Sequence, residues 1–270
     1  MRFCVLGSGS SGNCIYVSSG ATSLLVDAGL SGKETLKRLA LAGLDHSSIQ
    51  AILLTHEHSD HVGALGVLHR RLKAAIYANS GTIQGVESSL GKQNLPWQVF
   101  STGFPFQVGD ITVEPFTVCH DGLDPVGFTF ASGGVRIGIV TDIGMVTTVV
   151  RERLKNCAAL VVEANHDEKL LKDAQRPWAL KQRIAGRQGH LANSGAAELV
   201  VECAGPVLTK VFLAHISSDC NKPELAVRTV HEALRGRLFD RVDVALTYAD
   251  RPTEVWSSLT TPYAPMEKEQ

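Results

Sequence analysis

The sequence predicts an α/β fold in which two β-sheets face each other and helices cover both outer faces, an αββα sandwich. Two observations lead there. Each half of the 270 residues opens with short β-rich runs, and each half also carries helical patterns that need a sheet face to cover. No internal period points to a solenoid instead.

The elements follow in order. Residues 3–6, 14–17 and 23–27 read as strands, separated by the Gly/Ser loop 7–13 and the Ser19-Gly20 turn. Ser31-x-x-Glu34 is a capping box that opens a helix over 32–42, and Gly43 closes it. The apolar run Ala51-Ile52-Leu53-Leu54 is a short buried strand, 62–72 has helical spacing, and 75–78 returns to strand. The middle is mostly β: strands 106–108 and 111–116 flank Gly109-Asp110, and strands 128–131 and 135–140 flank Gly133-Gly134. Strands over 158–163, 210–214 and 242–246 then alternate with helices over 177–185, 194–203 and 223–234. Residues 1–258 are expected to form one domain and 259–270 a frayed tail.

Composition narrows the function. A net charge of −1 gives no whole-protein pull on polyanions, so nucleic-acid binding would rest on a local basic patch. Six cysteines without a C-x-x-C pair read as reduced thiols of a cytoplasmic protein. No leader is expected, and no run nears the roughly 20 apolar residues of a membrane span.

The densest chemistry lies in Thr55-His56-Glu57-His58-Ser59-Asp60-His61, on the loop after strand 51–54, where open sheets present ligands. H-x-H-x-D-H offers four donors within six residues, and imidazole with carboxylate suits zinc first, with manganese or iron as alternatives. His56 and His58 alternate around Glu57 and can grip one ion. Asp60 and His61 are adjacent and must point differently, which suggests a second ion. A His-rich loop that binds nothing rarely packs ligand types so densely. Three more candidates stand where strands end: His120, Asp142 and His215. Each alone reads as an ordinary loop residue.

Taken together, in the order H-x-H-x-D-H, His, Asp, His, these residues resemble the metallo-β-lactamase superfamily over about residues 1–250. The resemblance implies that His56, His58 and His120 hold one divalent ion, that Asp60, His61 and His215 hold another, and that Asp142 bridges them. Asp27, in Leu25-Val26-Asp27-Ala28-Gly29, matches the family's first motif position, where a carboxylate would fix the tautomer of a ligand imidazole. A turn Asp before Gly29 is its plainer reading. True β-lactamases usually place Cys where this chain has Asp142, which matches the hydrolase and nuclease branches instead. About 70 residues between Asp142 and His215 leave no room for the inserted domain of RNase J-type enzymes. No separate helical domain of the glyoxalase II kind follows.

Four further segments narrow the resemblance: Leu6-Gly7-Ser8-Gly9-Ser10-Ser11-Gly12-Asn13, Glu163-Ala164-Asn165-His166-Asp167, Gly189-His190-Leu191-Ala192-Asn193, and Ala214-His215-Ile216-Ser217 with Asn221. They are similar to the YycJ (WalJ) group of small cytoplasmic members, which resemble 5′-to-3′ DNA exonucleases. Ala192 and Cys220 depart from the expected Ser and Asn, and neither is an expected metal ligand.

The implied function is a metal-dependent phosphodiesterase, a 5′-to-3′ exonuclease on DNA in preference to RNA, with a metal-bridging hydroxide as nucleophile. Asp60 and His190 are the expected catalytic residues. His190 stands where RNase Z-like enzymes place an active-site His, and it would protonate the leaving 3′-oxygen; phosphate binding is its alternative. Substrate contacts are expected from Asn13, His166, Arg183, Arg187, Ser217 and Asn221. Arg176, Lys181, Arg183 and Arg187 share a segment with His190, although such runs are usually solvated helix faces. Trp178 could stack on a terminal base. The same site would serve a small-ester hydrolase, a thioesterase or lactonase, because hydroxide attacks carbon and phosphorus alike. Binding that weakens steeply with salt would mark the polymer substrate.

Overall fold

The computed structural model describes residues 1–91, 95–237 and 241–259. Beyond Leu259, the expected tail lies outside the described residues. The first sheet holds β1 (Arg2–Gly7), β2 (Cys14–Ser18), β3 (Ser23–Val26), β4 (Ile49–Leu53), β5 (Ala75–Ala78) and β6 (Trp97–Val99). The second holds β7 (Phe106–Val108), β8 (Ile111–Thr117), β9 (Val126–Ser132), β10 (Val135–Val140), β11 (Ala159–Glu163), β12 (Lys210–Ala214) and β13 (Asp243–Leu246). Strand β14 (Trp256–Ser257) returns to the first sheet, giving the order β14-β1-β2-β3-β4-β5-β6 there and β13-β12-β11-β10-β9-β8-β7 in the second.

Side-chain alternation builds the layers. Phe3 and Val5 of β1 point between the sheets, where they meet Phe128, Phe130 and Phe212. Cys4 and Leu6 point the other way, into a cluster with Leu39 of α1 (Gly32–Leu41) and Leu68 of α3 (Leu65–Leu72). On β12, Phe212 and Ala214 join the inter-sheet core. Val211 and Leu213 pack on Ala196 and Val200 of α8 (Asn193–Cys203) and on Val230 of α9 (Pro223–Leu234). Strands covered on both faces need both alternations apolar, which is why the central runs read as continuous hydrophobic stretches.

Three departures from the sequence reading have physical causes. The expected helix 62–72 is two helices, α2 (Ser59–Val62) and α3, because Ala64 N–H leaves the helical ladder to donate to Ala28 O at 2.8 Å. Helix α4 (Ser80–Leu90) was not expected in a segment rich in Gly and Ser; the Asn79 side chain caps it by accepting Thr82 N–H at 2.8 Å. Helices α5 (Thr148–Leu154) and α6 (Glu168–Asp173) are short enough to escape a periodicity argument, while α7 (Trp178–Ile184) falls within the predicted 177–185. Strand β3 runs parallel to β4 in the first sheet, and β10, β11 and β12 run parallel to one another in the second. Their C-terminal ends therefore gather at one edge of the sandwich, where α/β sheets hold ligands.

Candidate metal centre and catalytic cleft

Backbone geometry singles out three positions on that edge. Asp27 after β3, Asp142 after β10 and His215 after β12 have φ of 64°, 54° and 56°. Glycine would hold these left-handed turns without strain. A carboxylate or imidazole in each place indicates that its side chain has a use. Asp27 and Asp142 are each 3% exposed. The neighbouring Gly29 is required by close approach, since a Cβ there would stand 1.6 Å from Asp60 O.

The H-x-H-x-D-H loop is tied to this edge by hydrogen bonds. Asp27 accepts Thr55 N–H at 2.8 Å and the Thr55 hydroxyl at 2.9 Å, and its Oδ2 lies 2.8 Å from His61 Nδ1. His56 Nδ1 lies 2.9 Å from Thr55 Oγ1, His58 Nε2 3.0 Å from Asp121 O, and His120 Nδ1 3.0 Å from Gly189 O. His190 and His215 both direct Nδ1 to Glu163 Oε1, each at 2.8 Å. The other oxygen of Glu163 accepts Ile143 N–H at 2.8 Å and Leu191 N–H at 3.2 Å. One proton arrangement satisfies this set: each of these imidazole nitrogens donates outward. Each ring then turns its other nitrogen inward without a proton, and that of His61 also meets Asn13 Nδ2 at 2.9 Å. His56 Nε2 and His58 Nδ1 come within 3.0 Å, and His61 Nε2 lies 3.2 Å from Asp142 Oδ2.

Inward lone pairs at such distances repel unless a cation stands among them. Asp142 Oδ2 and His215 Nε2 are buried without a hydrogen-bond partner. His56, His58 and His120 form one set of donor atoms within 4.8 Å of one another. His56, His61 and Asp142 form a second, and Asp142, Glu163, His190 and His215 a third. Asp60 stands at the margin, its Oδ2 3.6 Å from His61 Nε2 and 3.2 Å from Asn13 Nδ2. Imidazole and carboxylate in these proportions fit divalent ions, and the alternatives for a buried cluster of this charge are few.

Electrostatics divide the imidazoles into two groups. Burial pushes the pKa of His56 well down and that of His120 down, keeping both neutral. Burial also opposes protonation of His61, but Asp27 and Asp142 outweigh it and push its pKa to about 10. His190 is likewise raised, because Glu163 overcomes its burial. Glu163 itself, although buried, is held at about 2 by His190 and His215. Glu163 is thus ionised, and the histidines raised beside it and beside Asp142 mark where negative charge gathers.

The expected substrate residues divide. Ser217 and His190 line a cavity of about 520 Å³ beside the cluster, together with Arg183 and the tip of the Gly/Ser loop. Arg183 donates through Nε to Asp121 Oδ2 at 2.8 Å, and Arg187 lines an adjoining groove with it. Asn13 braces its own loop by accepting Gly9 N–H at 2.8 Å and reaches Asp60 and His61 rather than the cavity. Two of the expected residues lie away from the cavity. Asn221 is buried, and its amide is spent on Ala164 O, Asn193 and Lys222 N–H. His166 is 2% exposed and lies off the cavity lining, and its backbone pairs with Ala192. Trp178 is exposed and is not among the cavity residues either.

Sequence reasoning passed over Glu163, Thr55 and Asp121. Glu163 had a visible signal, a lone carboxylate ending an apolar strand, the same placement that marked Asp142 and His215. Asp121 had only its position after His120.

The chain belongs to the β-lactamase superfamily, whose domain profile matches residues 22–216. It is 38% identical over 242 residues to the exodeoxyribonuclease YycJ of Bacillus anthracis, covering 88% of this chain and 91% of that one. It is also 38% identical over 232 residues to the exodeoxyribonuclease WalJ of Streptococcus pneumoniae, covering 85% of this chain and 86% of the relative. In fold it is similar to the metallo-β-lactamase fold protein YhfI of Bacillus subtilis, with a TM-score of 0.71, 16% identity, and coverage of 95% of this chain and 99% of that one.

Proposed function

We propose that this protein is a metal-dependent phosphodiesterase that degrades DNA from the 5′ end. The observation that carries this reading is the Glu163–His190 pair: an imidazole fixed through Nδ1 beside the histidine–aspartate cluster, with its other nitrogen left for substrate. The identity to two exodeoxyribonucleases supports DNA as the polymer and the exonucleolytic mode.

In this reading His56, His58 and His120 would hold one divalent ion, and Asp60, His61 and His215 a second, with Asp142 between them. Zinc suits these donors first, with manganese or iron as alternatives. When bound there, two such ions would supply hydroxide near neutral pH and charge stabilisation for attack on phosphorus. The chain does the rest. Asp27, Thr55, Asp121 and Gly189 hold the ligand rings in one tautomer. His190 delivers a proton to the departing 3′-oxygen, and Glu163 stabilises the imidazolium that precedes it. Arg183 and Arg187 attract the phosphate backbone, and Ser217 lines its path. Residues 1–258 are the catalytic unit, and the six free thiols support a reducing, cytoplasmic setting.

The test is incubation of metal-loaded protein with end-labelled single- and double-stranded DNA and RNA, followed by product sizing. Stepwise loss from the 5′ end of DNA is the expected result. Intact nucleic acid alongside rapid thioester or lactone hydrolysis would overturn the proposal.

A further inference from the structure

We infer that Asn13 guards the second ion site. Its side-chain amide holds the faces of His61 and Asp60 that would ligate, so an ion enters there only by displacing it, and the displacement loosens the Gly/Ser loop at the cleft. The inference rests on the two-ion reading and adds to it an order of loading and a link from metal occupancy to the cleft wall.

The orientation of this amide is fixed by its neighbours. Asn13 is buried, directly before β2, and its Oδ1 accepts Gly9 N–H at 2.8 Å. The opposite orientation would set two donors against each other, so Nδ2 is the atom that faces the cluster. It lies 2.9 Å from His61 Nε2 and 3.2 Å from Asp60 Oδ2. His61 Nδ1 is engaged by Asp27 at 2.8 Å, which leaves Nε2 with a single lone pair. That lone pair takes the Asn13 N–H or an ion, and it cannot take both. The first ion site has no such competitor in Asn13, whose side chain bonds only to Gly9, Asp60 and His61 among the described residues. His56, His58 and His120 therefore load first.

Displacement is confined to the side chain. Asn13 N–H donates to Asp60 O at 2.8 Å, and Asn13 O accepts Gly29 N–H at 3.0 Å. The backbone is therefore pinned on both sides, and the amide yields by turning about its own side-chain bonds. Because the amide is rigid, both of its ends move together: Nδ2 leaves His61 and Oδ1 leaves Gly9 N–H. The other anchor of the loop is Ser8, whose hydroxyl accepts His215 N–H at 2.9 Å. His215 is expected at the same ion. Between these two anchors Gly9, Ser10 and Ser11 line the cavity. The ligands of the second ion thus hold both ends of the segment that walls the cleft.

The test is zinc titration of the full-length protein against a competing chelator, with no nucleic acid present. The Gly9 amide of wild type is followed in parallel by NMR on protein made with nitrogen-labelled glycine. The first equivalent should leave the Gly9 signal in place, and the second should move it and speed its hydrogen exchange. Asn13→Ala should bind the second equivalent about tenfold more tightly, the scale of one lost hydrogen bond, and the first as wild type does. A residue that merely supports His61 would give the opposite sign, so weaker second-ion binding by folded Asn13→Ala would overturn the inference. Thermal melting checks the fold of the variant. The wild-type Gly9 reading decides independently of it: a signal that ignores the second equivalent also overturns the inference. Either result leaves the two-ion and nuclease readings standing. Wild-type protein that takes only one equivalent would remove the two-ion reading, and this inference with it.

Discussion

His190 and Glu163 carry the sharpest expectations at the scale of single residues. An alkoxide is a poor leaving group, and general-acid help is typically worth about 10²–10⁴-fold. His190→Ala should cut DNA hydrolysis by that factor with metal content unchanged. A nitrophenyl phosphodiester, whose phenolate leaves unaided, should be cleaved nearly as fast as by wild type; equal loss on both substrates would make His190 a phosphate ligand instead. Glu163 faces two imidazole N–H groups and two backbone N–H groups at once. Glu163→Gln keeps its shape but brings an amide N–H against one of those donors, which forces a ring to change tautomer. Metal affinity should fall about 10–100-fold, read by titration with a chromogenic chelator. Unchanged affinity would limit Glu163 to a structural role. Glu163 also marks how far the sequence could be read at this scale. The histidines and aspartates of the cluster stand out by type and spacing, whereas their partners are identified by hydrogen bonds that close over as many as 69 positions in the chain.

Among the elements, α4 is the instructive case. Helix propensity alone says that Gly85→Ala should gain about 1 kcal/mol. In the fold, however, a Cβ at Gly85 would stand 2.4 Å from Glu57 Cγ and 2.7 Å from its Cβ. Glu57 is fixed between His56 and His58 and accepts Leu123 N–H at 2.8 Å, so it has little room to retreat. Gly85→Ala should therefore lower Tm and weaken metal binding, both measured by melting with and without added zinc; a stabilised variant would show that the loop yields. Ser31 gives the contrasting case. It caps α1 by accepting Glu34 N–H at 3.2 Å on an exposed surface, and Ser31→Ala should cost about 1 kcal/mol with no change in metal content. The capping box was readable because both of its partners lie within one turn. The glycines of α4 were not, since they answer to a loop more than twenty residues away.

At the scale of the whole molecule, the cluster joins the two sheets, with ligand candidates from the ends of strands in both. Metal should therefore stabilise the entire sandwich. Protein prepared without chelator should carry two metal equivalents, and their removal should lower Tm by roughly 5–10 °C, the effect of losing ligands held at about a hundred times their Kd. A single equivalent that does not rise on adding zinc or manganese would contradict the two-ion arrangement. Net charge also acts at this scale. With the chain near neutrality, removing charge at Arg183 and Arg187 should weaken DNA binding and flatten its salt dependence, while a small diester substrate is little affected. An equal effect on both would make the two arginines part of the scaffold.

The sequence by itself determined most of the strand runs, most helices and the dense H-x-H-x-D-H loop, because each is written in local terms: alternation, capping, and ligand types packed into a few positions. Tertiary structure decided the rest. It broke the helix expected over 62–72, withdrew Asn221 and His166 into the fold, and brought Glu163 beneath two histidines through the pairing of β11 with β12. These outcomes depend on which backbone groups lie opposite one another across parallel strands, and that information exists only once the two sheets have packed.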